Sequence, residues 1–136
     1  MTKSRILLVE DDPISARLTS NFLAELEVDI THVTTGEQAV TLFEAATVFD
    51  LVLMDLYLPA MNGFKTAEAI HATAHYRDHP VPIIALTSNT LMESKPQFLK
   101  STGFTDYINK PPRKDTFAAL VKKYLPPPKL ASLEWY

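Results

Sequence analysis

Four short apolar runs, each closed by a polar residue, constrain this chain more than any other feature. They are Ile6-Leu7-Leu8-Val9, Leu51-Val52-Leu53-Met54, Ile83-Ile84-Ala85-Leu86 and Tyr107-Ile108-Asn109; Glu10-Asp11-Asp12, Asp55, Thr87 and Lys110 follow them in turn. Runs of this length are strand-sized, and their lack of alternation means that both faces are covered, as in parallel sheets. Each polar landmark then falls at the carboxyl end of a strand, the rim where open α/β sheets bind ligands. Acids, a hydroxyl and one lysine on a single rim point to magnesium-assisted phosphoryl chemistry.

Amphipathic stretches separate the runs. Asp12 is placed to cap a first helix with Pro13 at its opening position, where the missing N–H costs nothing. Ile14, Leu18, Phe22 and Leu23 are expected to form that helix's apolar face. A second strand is predicted at Asp29–Val33, then a helix capped by Thr35 with Ala39, Val40, Leu42 and Phe43 facing inward. The third strand covers residues 51–54, and a third helix runs from the Pro59-Ala60-Met61-Asn62-Gly63 loop to about His75. Strand four spans residues 81–86. The fourth helix ends before Gly103, a left-handed stop. Pro96 belongs in its first turn, with Ser94 as a candidate cap, so that helix should start late or be irregular. Strand five covers residues 105–109. The last helix spans residues 113–124, with Phe117, Leu120 and Val121 inward. Five strands alternating with five helices give an α/β, doubly wound parallel sheet with right-handed crossovers and helices on both faces. Residues 1–125 form one domain, and Pro126-Pro127-Pro128 opens a tail, residues 126–136, too short for another.

Composition narrows the function classes. The formal charge of −3 and a pI near 5.8 argue against a nucleic-acid surface, which needs a clustered basic face. No apolar stretch approaches the roughly 20 residues needed to span a bilayer, and the opening residues show no signal-peptide pattern. Zero cysteines exclude disulfides and thiol catalysis within the chain. A soluble, cytoplasmic domain is expected. His32, His71, His75 and His79 lie on strand two or around the third helix, read as away from the rim and without metal spacing.

Magnesium prefers oxygen ligands, and carboxylates from two strand ends, Asp11 and Asp55, suit it, with Glu10 beside them. Without a cation these acids repel one another and at least one pKa should rise. A carboxylate can also be the nucleophile, giving an aspartyl phosphate whose charge Lys110 and the Thr87 hydroxyl are suited to offset.

In these motifs, and in Asp55-Leu56-Tyr57-Leu58-Pro59, Leu86-Thr87-Ser88 and Asn109-Lys110-Pro111, the chain resembles the receiver domain of two-component response regulators, over residues 4–124. The resemblance implies a flavodoxin-like sheet of order 2-1-3-4-5. It implies that Asp55 accepts phosphate from a phosphohistidine of a histidine kinase or histidine phosphotransfer domain. Glu10 and Asp11 become the acidic pair, with Asp55 and the Tyr57 carbonyl completing the magnesium ligands. Thr87 becomes the switch hydroxyl, Tyr107 the switch aromatic and Lys110 the phosphoryl-binding lysine, preceding a cis Pro111. Such a domain modifies itself and is not otherwise an enzyme. The run from Ala85 to Asn89 resembles hybrid-kinase or single-domain receivers; with no DNA-binding or enzymatic output domain read in the sequence, output is expected through contact with an unknown protein.

Two alternatives remain open on sequence. A haloacid-dehalogenase-type phosphatase also uses an aspartyl phosphate, but its nucleophile belongs in an Asp-x-Asp pair after the first strand; here it follows the third, and Tyr57 replaces the second acid. A pseudo-receiver scaffold would normally lack a site residue, and none is missing.

Overall fold

The computed structural model describes residues 3–88 and 96–126. Its elements run β1 (Arg5–Val9), α1 (Pro13–Ala24), β2 (Asp29–Val33), α2 (Gly36–Glu44), β3 (Leu51–Asp55), α3 (Gly63–His71), α4 (Ala74–Asp78), β4 (Ile83–Thr87), α5 (Pro96–Ser101), β5 (Asp106–Asn109) and α6 (Lys114–Tyr124). All four strand pairings are parallel, in the order β2-β1-β3-β4-β5.

The apolar runs are buried on both sides because alternate residues serve two cores. Leu7, Val9, Val52, Met54, Ile83 and Ala85 pack with Ala39 and Phe43 of α2, Ala67 and Ile70 of α3, and Leu99 of α5. Ile6, Leu8, Leu51, Leu53, Ile84 and Leu86 pack on the other face with Ala16 and Leu23 of α1 and Phe117 and Val121 of α6. Helices therefore cover both faces, as the unalternating runs require. Among the described residues no helix is long and apolar enough to cross a membrane.

Local signals set the element ends. The Asp12 carboxylate accepts from the Ser15 N–H at 3.1 Å, with Pro13 opening α1. Thr35 and Gln38 form a reciprocal capping box on α2. Pro82 has no N–H, so β4 begins at Ile83, two residues later than predicted. Gly103, at φ 102°, takes the left-handed conformation that stops α5. The described part of that helix is Pro96–Ser101, and the expected late start, with Ser94 and Asn89, lies outside the described residues. So does the tail from residue 127 onward.

Three further expectations need correction. The single third helix is in fact two, because the Thr73 hydroxyl donates to the Ile70 carbonyl (2.7 Å) and accepts from the Tyr76 N–H (3.2 Å), capping a new helix. On α1 Leu23 is buried and Phe22 packs against the same core, as expected, but Ala16 and Thr19 are buried beside them and Ile14 is 79% exposed. Small Ala16 and Thr19 take the sheet-facing positions, so the bulkiest residues do not mark the helix's phase. His32 is not remote from the rim, since its ring reaches the backbone of Glu10.

The turn beneath Asp55 depends on one glycine. A Cβ on Gly63 would lie 2.6 Å from the Asp55 carbonyl oxygen and 2.8 Å from the Leu56 Cα, both backbone atoms that cannot step aside. The Gly63 N–H also donates to the Leu56 carbonyl at 2.9 Å. Gly63→Ala should therefore cost about 2 kcal/mol in urea unfolding, the usual scale of overpacking. A stability equal to wild type would show that this turn has slack.

Candidate functional site

Sheet register brings the rim residues together. Val9 pairs with Met54, so Glu10 follows directly beside Asp55. Asp55 pairs with Leu86, placing Thr87 one step beyond it, and Thr87 pairs with Asn109, placing Lys110 one step beyond that. The ladders run on past the strand ends: Glu10 N–H donates to the Val33 carbonyl (3.0 Å), Leu56 N–H to Leu86 (3.2 Å) and Lys110 N–H to Thr87 (2.8 Å). The landmarks thus sit on backbone that is still part of the sheet.

Glu10, Asp55 and Thr87 are buried, and Asp11 is exposed. Lys110 Nζ donates to Glu10 Oε1 and, at 3.1 Å, to Asp55 Oδ2. Asp55 Oδ1 accepts from the Tyr57 N–H at 2.9 Å. Tyr57 follows in the turn, its side chain 56% exposed. Tyr107 is half-buried on β5, against the core shared by α2, α3 and α5. The Lys110–Pro111 peptide bond is cis. Asp12, its carboxylate engaged by the Ser15 N–H and hydroxyl, stands apart as a cap.

Electrostatics follow from this crowding. Burial, together with the hydrogen bond to Asp55, raises the Glu10 pKa from 4.5 to about 7 against the opposing pull of Lys110. Burial disfavours the Lys110 ammonium, but its hydrogen bonds to Glu10 and Asp55 outweigh that and hold its pKa above the ordinary value. Glu10, Asp11 and Asp55 each offer an oxygen within 4.8 Å of the others, the one such group of three ligand-type residues among those described. An all-oxygen set of strained acids fits a small, hard dication such as magnesium. His75 and His79 lie one turn apart with ring centroids at 5.6 Å, but no third ligand-type residue joins them among the described residues. Sequence reasoning missed the part of His32, whose Nε2 lies 2.8 Å from the Glu10 carbonyl oxygen. Its position one rung from the end of β2 was the available signal.

Residues 6–122 match the family described as the response regulator receiver domain. The sensor protein GacS of Pseudomonas syringae pv. syringae is 35% identical over 88% of this chain and 13% of its own length. The transcription factor prr1 of Schizosaccharomyces pombe is 39% identical over 89% of this chain and 21% of its own length. The chain thus spans about an eighth to a fifth of these relatives, which are of both sensor and transcription-factor kinds. Among solved structures, the receiver domain of sensor histidine kinase PA1611 from Pseudomonas aeruginosa PAO1 has a magnesium ion coordinated in its active-site cleft. It is 32% identical with a TM-score of 0.78, covering 91% of this chain and 98% of that one. Chemotaxis response regulator CheY4 of Vibrio cholerae is 26% identical with a TM-score of 0.78, covering 91% and 100%.

The raised Glu10 pKa fixes the sign of a pH effect. Between pH 4.5 and about 7 the folded protein holds a proton on Glu10 that the unfolded chain has lost. Metal-free stability should therefore fall as pH rises through that window and level off above it. Glu10→Gln should flatten this part of the profile in chelator-treated urea unfolding. Equal slopes in the two proteins would assign the effect to another group.

Proposed function

This chain belongs to the response regulator receiver domain family, and from that premise we propose that it is a phospho-accepting switch in a two-component phosphorelay. The observation that carries this reading is the joining of buried Asp55 to both Glu10 and Lys110 at a single rim position. Asp55 takes the phosphoryl group from a phosphohistidine of a histidine kinase or histidine phosphotransfer domain. A carboxylate oxygen bonds to phosphorus as the phosphorus–nitrogen bond breaks, and the imidazole leaves and takes up a proton. The Tyr57 N–H steadies the Asp55 carboxylate for that attack, and Lys110 shields its charge from the incoming phosphoryl oxygens. A magnesium ion held by Glu10, Asp11, Asp55 and the Tyr57 carbonyl would supply the positive charge that offsets the phosphoryl oxygens.

After transfer, Lys110 stays within reach of the new anionic oxygens and donates a charge-assisted hydrogen bond to one of them. The Thr87 hydroxyl donates to a second oxygen, and Tyr107 turns toward the space Thr87 vacates. The phosphoryl group thereby favours one of two arrangements of the surface beyond β4 and β5. Output passes by contact with another protein in the cytoplasm. The chain catalyses its own phosphorylation and dephosphorylation and turns over no other substrate.

With acetyl phosphate and magnesium, wild type should gain one phosphoryl group by intact mass, and Asp55→Asn should gain none. Full labelling of the variant would overturn the assignment. Asp11 is exposed and adds a third negative charge, so it serves the metal more than the fold. Asp11→Ala should weaken magnesium binding while metal-free stability holds or rises. A marked metal-free loss would make Asp11 structural.

A further inference from the structure

We propose that His32 is a positioning residue that holds the Glu10–Asp11 peptide so that both carboxylates converge on the rim. This rests on the reading of the rim as a magnesium and phosphoryl site. The observation behind it is a gap in the β1–β2 ladder that a side chain fills.

β2 is an edge strand whose last rungs pair Leu8 with His32 and Val9 with Val33. Glu10 N–H continues the ladder, donating to the Val33 carbonyl at 3.0 Å. In a parallel ladder the Glu10 carbonyl would next accept from the N–H two residues beyond Val33, on Thr35. That donor is committed elsewhere: the Thr35 N–H goes to Gln38 Oε1 at 3.2 Å, closing the capping box of α2, and the Thr34 N–H goes to the same oxygen at 2.9 Å. The start of α2 thus takes the hydrogen bond that β1 would have received. His32 replaces it, its Nε2 lying 2.8 Å from the Glu10 carbonyl oxygen. A carbonyl only accepts, so Nε2 carries the hydrogen.

The peptide so held is the link between two of the three acids. Its carbonyl belongs to Glu10 and its nitrogen to Asp11, so rotation of this one unit would carry the Asp11 carboxylate away from Glu10 and Asp55. The nearby side-chain tie within the loop, Asp12 N–H to Glu10 Oε2, is long at 3.4 Å. With β2 holding both the N–H and the carbonyl of Glu10, the acids are kept within 4.8 Å of one another despite their repulsion. A group that orients ligands in this way without touching the metal typically changes affinity by about 10–100-fold when lost.

The test uses the full chain titrated with magnesium chloride, followed by NMR shifts of the amides around Glu10 and Asp55. His32→Phe keeps a ring but no donor, and His32→Val is a second donor-less variant suited to an edge strand. His32→Gln restores an N–H at similar reach. Both donor-less variants should bind magnesium about tenfold more weakly, and His32→Gln should bind nearly as wild type does. Wild-type affinity in the donor-less variants would overturn the proposal, as would a glutamine variant as weak as they are. Wild type that binds no magnesium would instead sink the reading of the rim itself.

Discussion

The structure depends on a contact among three charges brought by three different strands. Glu10, Asp55 and Lys110 meet where β1, β3 and β5 end, with both acids buried. Two carboxylates at such a spot repel each other and lose hydration, and neither term is removed by packing. Lys110 offsets both. It can do so only because the parallel register carries its backbone to the rim, through the Lys110 N–H on the Thr87 carbonyl. The sheet is therefore the device that assembles charge, and the two apolar cores are what hold the sheet to its register.

That arrangement leaves the metal-free site short of positive charge. One ammonium faces two buried acids with a third, Asp11, alongside, and Glu10 responds by holding its proton toward neutral pH. Any process that adds positive charge relieves the strain, and any that adds a phosphoryl group increases the demand for it. A site of this kind is sensitive to both, which a fully neutralised cluster would not be. Asp12, one residue further, stands outside the cluster as the cap of α1. Its carboxylate is spent on the Ser15 N–H and hydroxyl, whose hydrogen bonds hold its pKa below the usual carboxylate range.

The rim and the parallel, doubly covered sheet were legible in the sequence because unalternating apolar runs admit few arrangements, and polar residues at their ends have one place to go; the strand order came only from the family resemblance. Element phase and continuity were less legible. Ile14 looked like an anchor and is exposed, because close helix–sheet approach favours Ala16 and Thr19. The break at Thr73 depends on a hydroxyl making two backbone bonds at once, which no periodicity records. For His32 only its place near the end of β2 was legible, because its partner is a backbone carbonyl on a neighbouring strand, reached through a pairing that no motif spells out.

Competition for one N–H links the rim to the α2 end of the molecule. The capping box of α2 and the ladder of β1 both lay claim to the Thr35 N–H, and the box has it. Capping a helix is worth about 1 kcal/mol, roughly what one ladder hydrogen bond contributes, so neither claim wins by a wide margin on its own. A histidine on the edge strand lets both be met. The Glu10 carbonyl keeps a donor, α2 keeps its cap, and the chain can turn sharply at Thr34 without leaving the acid-bearing peptide loose. Helix start, strand end and acidic rim are thus one hydrogen-bonded unit, in which the strength of the α2 cap bears on the placement of Asp11.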